Sequence, residues 1–169
     1  MSITYENIYN DRFFEPLREI FYEEFDIKMT MDIDYQERGS HWFNLIPISD
    51  EGDEMRSSGQ HRLYGAKLKY YEFYKKERDH TWFKYMTDIG ERVKRLIGNN
   101  SNFTVKATWV SQSGTWASTT TTWSNTKDTY CWHEMLVDVD YNPERSEDEE
   151  KNKLGIIDFD ITFKIDEVY

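Results

Sequence analysis

With one cysteine, Cys131, the chain can form no internal disulfide. That excludes a small disulfide-stapled secreted fold and points to a reducing compartment. Prolines and glycines are also scarce, 3 and 8 in 169 residues, which excludes collagen-like and Pro/Gly-rich low-complexity chains. No stretch approaches the roughly 20 apolar residues needed to span a bilayer. The first residues carry no basic segment followed by an apolar one, so the expectation is a soluble, untargeted protein. Positive charge is in short supply: 21 Lys and Arg face 32 Asp and Glu, a net charge of -11. Such a balance disfavours wrapping duplex DNA, which needs clustered Lys and Arg, yet it suits an acidic wall along which DNA does not stick. No nucleophile elbow, phosphate loop or dinucleotide fingerprint is present.

What the chain has in quantity is aromatic side chains, 12 Tyr, 10 Phe and 6 Trp, against a mean hydropathy of -0.85. Few aliphatics and many rings predict a thin core with rings left over for subunit contacts. The length predicts one domain over 1–169.

The clearest pattern closes the chain. Ile157, Phe159, Ile161, Phe163 and Ile165 alternate with Asp158, Asp160, Thr162, Lys164 and Asp166, a long strand with one wet face. Phe13, Leu17, Ile20, Phe21 and Phe25 fall at helical spacing and predict a helix over Glu15–Phe25, with a looser turn before it because Pro16 is tolerated only near a first turn. Trp82, Met86, Ile89, Val93, Leu96 and Ile97 step by three or four and predict a second helix over 81–97, capped by Asp79 and stopped by Gly98. Strands are predicted over 27–33, 41–47, 62–74, 103–109 and 135–141. Residues 49–60, with acids, glycines and no periodicity, read as a solvated loop, and 142–153 as an acidic loop. The segment 110–130, rich in Ser and Thr around Trp116 and Trp123, reads as an extended hairpin or arm. Helix, strands, helix, strands without βαβ repetition predict an α+β fold, a mostly antiparallel β-sheet with two helices packed on it.

Three Asp-x-Asp pairs, Asp32/Asp34, Asp138/Asp140 and Asp158/Asp160, each project from one face of a strand. Two carboxylates so placed can grip a divalent ion, as a metal-dependent hydrolase would use them, but alternation with apolar residues reads more simply as a wet strand face. His41, His61, His80 and His133 share no metal-ligand spacing, and Cys131, at the start of a strand, reads as a buried neutral thiol. No catalytic residue, cofactor or metal is therefore expected. Trp109, Trp116 and Trp123, with Tyr130, lie around the arm and read as subunit-interface candidates. Stacking on sugars, as in a carbohydrate-binding module, is the competing use of these rings.

The element order, together with His41-Trp42-Phe43-Asn44-Leu45, the stretch Arg62-Leu63-Tyr64-Gly65-Ala66-Lys67-Leu68-Lys69-Tyr70-Tyr71, Gly90-Glu91-Arg92-Val93 and the paired C-terminal strands, resembles the tail-terminator proteins of long-tailed bacteriophages. The resemblance covers most of the chain and is architectural. It implies a virion structural protein of the tail neck, assembled in the host cytoplasm: a homo-hexameric ring that caps the tail tube and joins it to the head connector or stopper, with DNA only as cargo through the lumen, no membrane and no catalysis. A head-completion protein is the nearest alternative of the same class. The chain departs from short-loop members of the family in its 111–129 arm and its 142–153 loop.

Overall fold

The computed structural model describes residues 7–32, 39–56, 59–74, 79–105, 129–141, 146–147 and 153–168. The fold is α+β. A π-helical turn, Tyr9–Phe14, runs into α1, Glu15–Phe25, followed by β1 (Met29–Met31), β2 (His41–Arg56) and β3 (Gly59–Tyr74). Then come α2 (Asp79–Asn99), β4 (Phe103–Val105), β5 (Thr129–Asp140), β6 (Ser146–Glu147) and β7 (Lys153–Val168).

The looser turn before α1 has a simple cause. Pro16 offers no N–H to the carbonyl four residues back, so the turn widens and Glu15 N–H donates to Asn10 O instead. Asp26, in the left-handed region at φ 54°, ends α1 with its N–H on Tyr22 O. The expected stop at Gly98 is not used. α2 runs on to Asn99, and Asn100 closes it by donating from Nδ2 to Leu96 O at 2.8 Å.

The strands form one sheet in the order β1-β2-β3-β7-β5-β4, with β6 on the end of β7. It is mixed: β1 runs parallel to β2, and the other pairings are antiparallel. Two-residue alternation gives the sheet an inner face of Phe43, Leu45, Tyr64, Leu68, Phe159, Ile161 and Phe163. α1 covers it with Phe13 from the preceding turn, Leu17 and Phe21, and α2 with Trp82, Met86, Ile89, Val93 and Ile97, in one continuous core. Arg92 ties the helices together, donating to the Glu24 carboxylate at 2.7 Å and lying over the Phe25 ring at 4.6 Å.

The 49–60 loop expectation fails. β2 and β3 stay paired through Glu51↔Leu63, Glu54↔His61 and Arg56↔Gly59, so this stretch is strand nearly to its end. The acidic 142–153 loop is interrupted by β6, which pairs Ser146↔Leu154 and Glu147↔Lys153. The arm at 110–130 falls almost wholly outside the described residues.

Candidate functional site: the helix-free face and its open edge

Among the described residues no helix packs on the other face of the sheet, and that face is not uniformly wet. At one end Trp42 and Tyr71 stack at 5.1 Å and bury with Leu154. There Asn44, 2% exposed, extends the short β1 ladder: its Oδ1 accepts from Asp32 N–H and its Nδ2 donates to Asp32 O.

In the middle of this face the register brings two Asp-x-Asp pairs together. Asp138 stands opposite Asp160 and Asp140 opposite Asp158, with Lys67 and Lys69 on the other flank of β7 at 3.4 and 3.5 Å. Asp34 lies outside the described residues. Like charges directly opposed in a ladder destabilise it, and the two lysines offset only one side. Asp138→Asn should therefore stabilise the fold by about 0.5 kcal/mol at low salt, with the gain shrinking as salt screens the repulsion. Urea unfolding at two ionic strengths reads it, and a loss of stability at low salt contradicts it.

At the far end the sheet assembles a group that spacing along the chain concealed. His61 of β3 lies directly opposite Asp166 of β7, and His133 of β5 lies opposite Lys164, one diagonal step away on the same face. His61 Nδ1 contacts Asp166 Oδ1, and His133 Nε2 stands 3.7 Å from the same oxygen. The imidazoles are near-parallel, centroids 5.8 Å apart, and one donor atom from each residue falls within a 4.8 Å group. Nε2 of both histidines is buried without a hydrogen-bond partner. Among the described residues this is the only cluster of three such groups.

A β-bulge places His133. Glu134 takes φ 51°, which lets Trp132 and Met135 both point into the core while His133 faces out. The turn after α2 fixes the bulge: Met135 N–H donates to Ser101 O, Glu134 N–H to Asn102 Oδ1, and Trp132 Nε1 to Asn100 O. A second bulge in β2 frees Asp53, and the two bulge carboxylates converge on Lys164 Nζ, Glu134 at 3.1 Å and Asp53 at 3.3 Å. Hydrogen bonding to Glu134 first, then to Asp53, raises the Lys164 pKa above the usual lysine value. With the folded value raised, this contribution to stability is complete below the ordinary lysine range and is lost only as pH climbs past it.

The face also has an open edge. β1 pairs with β2 only at Phe43, Asn44 and Leu45; from there to Arg56 that side of β2 has no strand partner among the described residues. Ile48 and Met55 on this stretch are 62% and 85% exposed.

Of the expected interface residues, Trp109, Trp116 and Trp123 lie outside the described residues. Tyr130 is placed in β5, where it pairs with Thr104 of β4, with nothing described of its side chain. Trp42, Trp82 and Trp132 are buried and offer no sugar-stacking surface, and Cys131 is a buried free thiol. No known protein family matches the chain, and no curated protein matches it. Among the described residues no helix is long and apolar enough to cross a membrane.

Proposed function

We propose that the protein is a virion structural subunit, a bacteriophage tail terminator that closes into a homo-oligomeric ring of six copies. The ring caps the tail tube, joins it to the head connector or stopper protein and passes DNA through its lumen; it acts by assembling and catalyses nothing. The observation that carries this reading is the open edge of β2 with exposed Ile48 and Met55 on it. A long strand edge bearing large apolar side chains invites pairing with another chain, and a soluble protein keeps one mainly where a partner covers it. In a ring of heterologous contacts each copy covers the next and no edge stays open. The net charge of -11 suits a lumen that releases DNA as it passes.

The experiment is Ile48→Lys combined with Met55→Lys. Both side chains are exposed, so unfolding free energy should change by less than about 0.5 kcal/mol, while the oligomer expected for wild type in light scattering should fall to the mass of one chain. An unchanged oligomer would remove β2 from the interface and with it the basis of this reading.

A further inference from the structure

We propose that His61, His133 and Asp166 form a binding site for one divalent transition-metal ion of the zinc class. Two imidazoles and a carboxylate are a borderline nitrogen and oxygen donor set, the kind that zinc and its neighbours prefer over calcium or magnesium. The residues come from three adjacent strands, β3, β5 and β7, so the backbone ladder holds their Cα positions before any ion arrives.

The geometry is close to what an ion requires. Bond lengths of about 2.0–2.1 Å in a tetrahedron set donors about 3.3 Å apart. The donors here lie within 4.8 Å, with His133 Nε2 at 3.7 Å from Asp166 Oδ1. Nε2 of each cluster histidine is a buried atom without a hydrogen-bond partner, and on His133 it is the nitrogen that faces Asp166 Oδ1, whereas His61 faces that oxygen through Nδ1.

The surroundings also favour a cation. Asp53 and Glu134 already pair with Lys164, which leaves Asp166 as an additional carboxylate; the backbone carbonyl of Asp166 accepts from Arg12 at 3.1 Å and helps fix the end of β7. Glu54 stands opposite His61 in β2 on the same face, so a second carboxylate is one strand away from the fourth coordination position. An ion held here ties β3, β7 and β5 together at the end of the sheet near the Arg56↔Gly59 pairing of β2 and β3.

The test is Zn2+ titration, by calorimetry, of the full untagged chain after chelator treatment, with metal content per chain measured in parallel. The expected result is one Zn2+ per chain and a thermal midpoint raised by about 5 °C at saturation. Affinity should fall at least tenfold in each of His61→Gln, His133→Gln and Asp166→Asn, and stay unchanged in His41→Gln at the opposite end of β2. Co2+ bound to wild type gives a second reading that needs no variant: intense visible ligand-field bands of a low-coordinate nitrogen and oxygen site are expected. No binding, binding that survives loss of either cluster histidine, or a Co2+ spectrum indistinguishable from the aquo ion would each overturn the proposal. Stoichiometry is counted per chain, so these outcomes are independent of ring formation.

Discussion

Phe163→Ala is expected to lower the unfolding free energy by about 3–5 kcal/mol, a large part of the roughly 5–15 kcal/mol that holds a domain together. Phe163 is fully buried in the C-terminal half of β7, the strand that pairs with both β3 and β5. Its ring stacks on Phe13 at 3.8 Å and on Tyr64 at 5.5 Å, and Tyr9 stands 6.2 Å away. Phe13 in turn meets Trp132 edge-on at 5.9 Å, so one ring joins the N-terminal helical turn, β3 and β5. Truncation removes the transfer free energy of the ring and leaves a cavity that three stiff aromatic neighbours cannot collapse to fill. Leu136→Ala, at a side chain 69% exposed on the opposite face, is the control and should cost less than about 0.5 kcal/mol. Urea unfolding followed by circular dichroism measures both. A loss below about 1 kcal/mol for Phe163→Ala would place the core elsewhere.

Gly155→Val should be the next most damaging change, costing about 2–3 kcal/mol by overpacking. Gly155 lies on the core face of β7 opposite Glu72, and a Cβ there would overlap Cζ2 of Trp82 outright. Trp82, one turn into α2, is 8% exposed and rests on this bare stretch of strand. The glycine is thus required by the approach of an indole, not by backbone conformation. If that is the mechanism, the two sites must couple. Trp82→Ala opens the space, so the double variant should be less destabilised than the sum of the singles by about 1–2 kcal/mol. Additivity within about 0.3 kcal/mol would show that the clash is not what limits the position.

The parts of this fold that were readable in the sequence are those in which one pattern runs uninterrupted. β7 alternates without a break from Ile157 to Ile165, and α1 has the predicted bounds because its stripe meets Pro16 at the start and a left-handed Asp26 at the end. The stretch from Ser49 to Arg56 was not readable because bulges at Ile48 and Asp53 each insert a residue and erase the period of two. Its pairing is carried by the backbone ladder, to which side-chain chemistry gives no clue. Gly98 misled for a related reason: a glycine permits a stop, but Asn100 supplied the closing hydrogen bond.

The histidine cluster was hidden by topology. His61, His133 and Asp166 are far apart in sequence and meet only because β7 sits between β3 and β5, and because the Glu134 bulge turns His133 outward. Metal-ligand spacing rules work along a single loop or helix and say nothing of such a set. The Asp138/Asp140 and Asp158/Asp160 pairs were legible as one face of a strand, whereas their direct opposition across β5 and β7 required the register; Asp32 falls just past the end of β1, and Asp34 lies outside the described residues.

Solution mass by size exclusion with light scattering over a wide concentration range, with negative-stain images of each peak, tests the assembly reading most directly. The account predicts a closed ring of six chains. The mass of a single chain at every concentration would contradict it.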